Sequence, residues 1–242
     1  MNNEQVSYCE EENKMDQKEL GLLAKKEGMT QIFDENGFVI PVTVIKIAEN
    51  IVTDIKTADR DGYTSVQIGA FETKEKLLNK PEIGKFKKNG TKLFKKLIEF
   101  RTEESADMAI GDEVNTEEFF KDLEKVNITG VSVGKGFQGF VKAHNGHIGR
   151  RSHGSKSKRQ IGSLGAGTTP SRVLPGKRMP TMLGNEVITI EKVKIVSYDA
   201  EKRVLLVKGP VPGKAGAELK IKAFGAKAWN HKNKRKLALE AA

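Results

Sequence analysis

Residues 29–47 read MTQIFDENGFVIPVTVIKI. Two apolar, β-branched runs flank Asp34-Glu35-Asn36-Gly37, an arrangement that predicts a β-hairpin. Pro41 within the second run cannot donate to a ladder, so it points to a strand edge or a bulge. Working outward, further strands are expected at 51–56, 63–71, 126–133, 187–197, 203–208 and 218–223, with 198–202 turning a second hairpin. Helical signals fall at 73–80, 91–97 and 115–123, the last opening on Thr116-Glu117-Glu118. Many short strands with little helix predict a mainly β fold: a small closed barrel with an α-containing insertion at about 72–123.

The chain has 242 residues, 37% hydrophobic, with 24 glycines, so a packed core is attainable. Cys9 is the single cysteine, which excludes an internal disulfide framework and a Cys-rich zinc site and fits a reducing compartment. No apolar run has the length of a membrane span. Residues 1–19 hold six acidic and two basic side chains, unlike a signal or transit peptide, and read as a solvated acidic tail.

Forty-two basic against 32 acidic residues give a net charge of +10, which favours a polyanionic partner, nucleic acid before a membrane surface. That charge is segregated. Residues 74–96 carry nine lysines against Glu75 and Glu82, whereas 99–124 carries ten carboxylates against Arg101 and Lys121. From Lys125 to Asn185 there is no Asp or Glu, yet Lys125, Lys135, Lys142, Arg150, Arg151, Lys156, Lys158, Arg159, Arg172, Lys177 and Arg178 all lie there. Cations crowded without counter-charge repel one another unless phosphate meets them. Arginine is nearly as common as lysine in this span, and it adds bidentate phosphate contacts and stacking on bases.

Residues 144–184 are dense in Gly, Ser, Pro and His and follow neither helical nor strand periodicity. Ordering each such residue costs about 1–2 kcal/mol of backbone entropy, and the segment has few large apolar side chains to offset it. A partner must order it, or it stays disordered.

Gly134-Lys135-Gly136-Phe137-Gln138-Gly139 spells G-x-G-x-x-G, but no helix pattern follows and no acid appears until Glu186, so the dinucleotide reading fails. Val141 completes the kinase form of the loop, yet the downstream kinase motifs are missing. These glycines are instead expected to let backbone approach RNA phosphate closely. His144, His147 and His153 sit among cations rather than carboxylates, which favours contacts to phosphate or bases over a metal site. No nucleophile–base–acid set stands out, so no catalytic residue, cofactor, metal or small-molecule substrate is expected. The C-terminal stretch 225–242 sets Trp229 among His231, Lys232, Lys234, Arg235 and Lys236; it reads equally as an RNA contact and as a solvated basic tail.

Several stretches resemble one family. GLLAKKEGMTQIFDENGFVIPVTVI (21–45) is similar to its opening strands, and NITGVSVGKGFQGFVK (127–142) to its signature. SHGSKSKRQIGSLGAGTTPSRVLPGKRMPTMLGNE (152–186) resembles its long extension, and SYDAEKRVLLVKGPVPG (197–213) a later hairpin. The family is the bacterial-type large-subunit ribosomal protein L3 (uL3), and the wording is closest to cyanobacterial and plastid members. The likeness runs from about Leu20 to Phe224.

That resemblance implies a translation-protein-type β-barrel body (20–133 and 183–224) lying on large-subunit, 23S-type rRNA. It implies an rRNA-penetrating extension (134–182) whose tip, Gly165, Ala166, Gly167, Thr168 and Thr169, lies near the peptidyl-transferase centre. It also implies early action in subunit assembly, neighbours such as ribosomal proteins L14 and L19, a bacterial cytoplasmic or plastid location, and no enzymatic activity. Two positions depart from the family pattern. Ala143 stands where the signature usually ends in a basic residue, and the tip has no Gln, so the methylated Gln of many bacterial members is expected to be absent.

Overall fold

A computed structural model describes residues 20–102, 108–121 and 123–224; the acidic start and the Trp229 stretch lie outside the described residues. The fold is mainly β. Eleven strands are β1 (Gly21–Phe33), β2 (Val39–Ile47), β3 (Ile51–Lys56), β4 (Ser65–Glu72), β5 (Phe94–Arg101), β6 (Lys125–Val131), β7 (Phe137–Gln138), β8 (Thr181–Met182), β9 (Val187–Asp199), β10 (Val204–Lys208) and β11 (Glu218–Ala223). Short helices are α1 (Ala58–Asp61), α2 (Lys80–Asn89), α3 (Thr116–Phe120) and α4 (Phe140–His144). The chain divides into two compact units, residues 131–187 and the remainder.

In the larger unit six strands hydrogen-bond in the order β1-β11-β6-β9-β10-β2, and β1 also pairs with β2, Ala24 opposite Ile47. Alternate residues point to one side, as the period of two in a strand requires. Leu22, Ala24, Ile45, Ile47, Val126, Ile128, Leu205, Val207, Leu219 and Ile221 are therefore all buried in one core. At Gly130 a Cβ would sit 2.7 Å from Leu219 Cδ2, so a larger residue there would have to displace the buried Leu219 side chain. Between β6 and β9, the Thr129 and Thr189 hydroxyls share a hydrogen bond of 2.8 Å, and Lys192 N–H donates to Asn127 Oδ1 at 3.0 Å.

Strands β3, β4 and β5 form a second, separate sheet, so the stretches expected at 51–56 and 63–71 are not part of the six-stranded one. The helix expected at 91–97 is a strand instead. Lysine-rich FKKLIEFR favours helix by composition, but Phe94, Ile98 and Phe100 share a face when extended, and β4 supplies the partner edge, with Val66 opposite Phe100. The helix expected at 73–80 shrinks to a 3₁₀ turn at Glu75–Leu77. The longer helix is α2, opened by an Asn79–Glu82 capping box with Pro81 in its first turn and ended by Gly90 at φ 64°. α3 is capped one residue earlier than expected, by Asn115, whose side chain accepts from Glu117 N–H at 3.1 Å. Thr116 is left free to accept the Tyr198 hydroxyl at 2.7 Å.

Buried Asn50 joins these parts. Its Oδ1 accepts from Leu23 N–H at 2.8 Å, while its Nδ2 donates to Ala48 O at 2.8 Å and Leu23 O at 3.2 Å.

Candidate nucleic-acid interface

The unit 131–187 begins as a zipped stem. Ser132 N–H donates to Glu186 O at 2.9 Å, Lys135 N–H to Leu183 O at 2.8 Å and Leu183 N–H to Gly136 O at 3.0 Å. β7 and β8 continue it, with Phe137 opposite Met182. Gly184 makes the stem possible: its φ is +75°, and a Cβ there would overlap the Val133 carbonyl. Next comes α4, ending at Asn145 in the left-handed region. His144 lies on this helix, its Nε2 2.8 Å from Met179 O and its ring 6.0 Å from that of Phe140.

Beyond α4, Gly149 N–H donates to Lys158 O at 3.0 Å and closes a loop that carries Arg150, Arg151, His153 and Lys156. Gly149 has no room for a side chain, because a Cβ would overlap the Ser157 carbonyl; Gly146 is equally confined by the Phe140 ring. Sequence reasoning had not singled out Gly146, Gly149 or Gly184. It had singled out Gly134, Gly136 and Gly139. Gly136 needs its φ of +68°, but a Cβ at Gly136 or Gly139 would meet nothing within 4 Å, and at Gly134 only ordinary contact with Asn185 at 3.5 Å. Among the described residues nothing crowds these three.

Not one residue from 131 to 187 is buried. Lys135, Lys142, His147, Arg150, Arg151, His153, Lys156, Lys158, Arg159, Arg172, Lys177 and Arg178 are all exposed, and His144 is half-buried. Among the described residues, no ion pair involves any of the lysines or arginines of this unit. Gly165, Ala166, Gly167, Thr168 and Thr169 are exposed as well. There the Ser163 hydroxyl donates to Gly165 O at 2.9 Å, and Gly167 has φ +113°. A cleft of about 360 Å³ has Phe140 and Ile161 as its apolar wall and Lys177 and Arg178 at its rim.

The larger unit handles charge differently. Of the nine lysines at 74–96, four meet carboxylates: Lys85 with Asp54 at 3.2 Å, Lys87 with Glu75 at 3.1 Å, Lys92 with Glu72 at 3.9 Å and Lys95 with Glu218 at 2.8 Å. In the acidic stretch, Glu99 pairs with Lys56 at 2.8 Å and Glu113 with Arg203 at 2.7 Å. The hydrogen bond from Lys56 holds the Glu99 carboxyl below its ordinary range, and the same contact raises the Lys56 ammonium. Part of each block that looks segregated along the sequence is thus paired by residues from elsewhere in the unit.

Lys220 and Lys222 are an exception that the sequence did not reveal. Alternation on β11 sets both on the outer side of the sheet, where their ammonium groups lie 4.3 and 5.5 Å from the Phe100 ring centre. Burial, helped by the charge of Lys222, pushes Lys220 down to about 8; burial also lowers Lys222. An approaching phosphate would relieve both.

Comparison with known proteins agrees with the geometry. The family model "Ribosomal protein L3" matches residues 50–204. The large ribosomal subunit protein uL3 of Acaryochloris marina is 48% identical over 202 residues, covering 84% of this chain and 95% of its own length. The large ribosomal subunit protein uL3c of Phaeodactylum tricornutum is 46% identical, with coverage of 84% and 97%. The uL3 of Trichormus variabilis is 46% identical, with coverage of 84% and 95%. Residues of the resembling signature have visible work in this fold: Asn127 and Gly130 serve the sheet, and the Ser132 hydroxyl accepts from Glu186 N–H at 3.2 Å in the stem. By its sequence over four-fifths of its length, this chain belongs to the ribosomal protein L3 family.

Proposed function

We propose that the chain is a structural constituent of the large ribosomal subunit, in a bacterial cytoplasm or a plastid, that binds 23S-type rRNA and enters early in subunit assembly. In this reading the ring order of the six strands is that of a translation-protein-type closed barrel, which lies with the rest of the body (20–133 and 183–224) on rRNA. The span 134–182 inserts between rRNA helices. Its cations neutralise phosphates packed too closely for RNA alone, and Gly134, Gly136 and Gly139 let backbone come near them. The tip at Gly165–Thr169 props the peptidyl-transferase centre without reacting, and neighbours such as L14 and L19 pack against the body.

One observation carries the proposal: a unit with no buried residue displays Lys135, Lys142, Arg150, Arg151, Lys156, Lys158, Arg159, Arg172, Lys177 and Arg178 with no carboxylate paired to them. Such a unit has neither a core nor a charge balance of its own. RNA supplies both. The half-buried His144 and the exposed His147 and His153 add donors and stacking rings to the same surface.

Tagged chain expressed in its host is expected to co-sediment with large subunits at one copy each and to survive a high-salt wash. Release by that wash would refute incorporation and leave an RNA chaperone in its place.

A further inference from the structure

The β1–β2 hairpin outruns the sheet that holds it. β1 pairs with β11 from Gly21 to Lys25, and β2 with β10 no further than Val42. Among the described residues, Gly28–Phe33 pair with β2 alone, and the far edge of β2 receives only Gly209 N–H at Pro41 O, 2.9 Å. What remains is a two-stranded ribbon, an arrangement marginal in water by itself.

This ribbon exposes four large apolar side chains beside the polar Thr30, Gln31 and turn residues. Met29, Phe33, Phe38 and Val39 are 52, 68, 71 and 53% exposed. Phe33 lies opposite Val39 and Gln31 opposite Pro41, so Met29, Phe33, Val39 and Pro41 share one face, with Gln31 the polar side chain among them. An exposed apolar cluster of this kind marks a contact surface.

Charge tells which kind of partner fits it. Residues 29–43 contain Asp34 and Glu35 and no lysine or arginine, in a chain of net charge +10. A surface built for phosphate carries cations, and this one would repel it. We propose that the ribbon docks on a basic protein, which covers the apolar face and brings lysine or arginine to Asp34 and Glu35 at the rim. The inference rests on membership of the large subunit, where such a protein would be a neighbour.

The full chain, with benzoylphenylalanine in place of Phe33, which lies on that face and is exposed, is expressed in its host, and purified large subunits are irradiated. The expected product is a crosslink to one ribosomal protein, within a lysine- or arginine-bearing segment. Asp34→Lys with Glu35→Lys is expected to lower its yield roughly fivefold, the order for reversing two rim charges. Crosslinking to rRNA, to another segment of this chain such as 225–242, or to nothing overturns the proposal, and so does a yield indifferent to the two lysines. The same analogue at exposed Leu174 is the control. An rRNA crosslink there shows the subunit reading intact when the Phe33 result fails, whereas absence of the chain from subunits sinks both.

Discussion

Replacing Arg150, Arg151 and Arg159 together by glutamine separates an interface role from a structural one. All three side chains are exposed, and among the described residues no ion pair involves them. The fold therefore loses nothing, and urea unfolding of the free protein is expected to shift by less than about 0.5 kcal/mol. Binding is another matter. If six to ten of the ten unpaired lysines and arginines meet phosphate, affinity for an rRNA fragment falls by about 10³–10⁵ between 50 and 200 mM salt. Each contact contributes roughly 0.7–0.9 to the slope of log K against log salt, so losing three lowers the slope by about 2–3. Over that fourfold change in salt, the variant should lose roughly 20- to 40-fold less affinity than the parent. Filter binding or fluorescence titration across the salt series reads this directly. An unchanged slope would mean that these arginines do not face phosphate, and a fall in stability would make them structural.

Three further outcomes follow from the geometry. Lys220 titrates near 8 when folded against an ordinary 10.5, so between those values the unfolded chain holds more protons and stability rises with pH. The raised Lys56 and Lys95 keep their contributions throughout that window; chemical denaturation from pH 7.5 to 9.5 should show the rise in the parent and a diminished one in Lys220→Met. Asn50→Ala strands backbone groups of Leu23 and Ala48 in a buried place, and is expected to cost about 2–4 kcal/mol in urea unfolding; a loss below 1 kcal/mol would show that relaxation or water replaces the amide. Amides of residues 140–180 should exchange with deuterium far faster than those of β1, β2 and β11 in the free protein, and slow markedly in purified subunits; equal protection in both states would mean that this unit is stable unaided.

Much of the fold could be read from local pattern. β2 and β3 follow β-branched runs of clear extent, β11 follows an alternation of charged and apolar residues, and the Asp34–Gly37 turn sits where its residues demand. What failed, failed for non-local reasons. Phe94–Arg101 is a strand because β4 offers an edge, which no window of that sequence contains. Likewise the lysines at 74–96 look free along the chain, but Asp54 and Glu218 reach them from distant strands. The cations at 134–182 were legible for the opposite reason: with no acid between Lys125 and Asn185, nothing local stood ready to cancel them, and the fold brings nothing to them. Lys220 and Lys222 escaped notice because their setting depends on Phe100 of another sheet. Gly146 and Gly149 escaped because close approach is a property of the folded loop, and the letter G does not carry it.

The two surfaces argued above divide labour by charge. On the two proposals the chain is held by RNA at one place and by protein at another, and the same physics cannot serve both. Phosphate contact requires unpaired cations, acid kept away, and glycine where backbone passes close; residues 131–187 have all three and no core. Protein contact requires exposed apolar area with few cations to desolvate; residues 29–43 expose Met29, Phe33, Phe38 and Val39 and hold no lysine or arginine. The larger unit, meanwhile, pairs part of its charge internally and buries its alternating strands in a core of its own. That order has a consequence for assembly. On the proposed function, a body with its own core would deliver its ribbon and its unpaired span to a growing particle, and the span would be held in place as RNA closes around it.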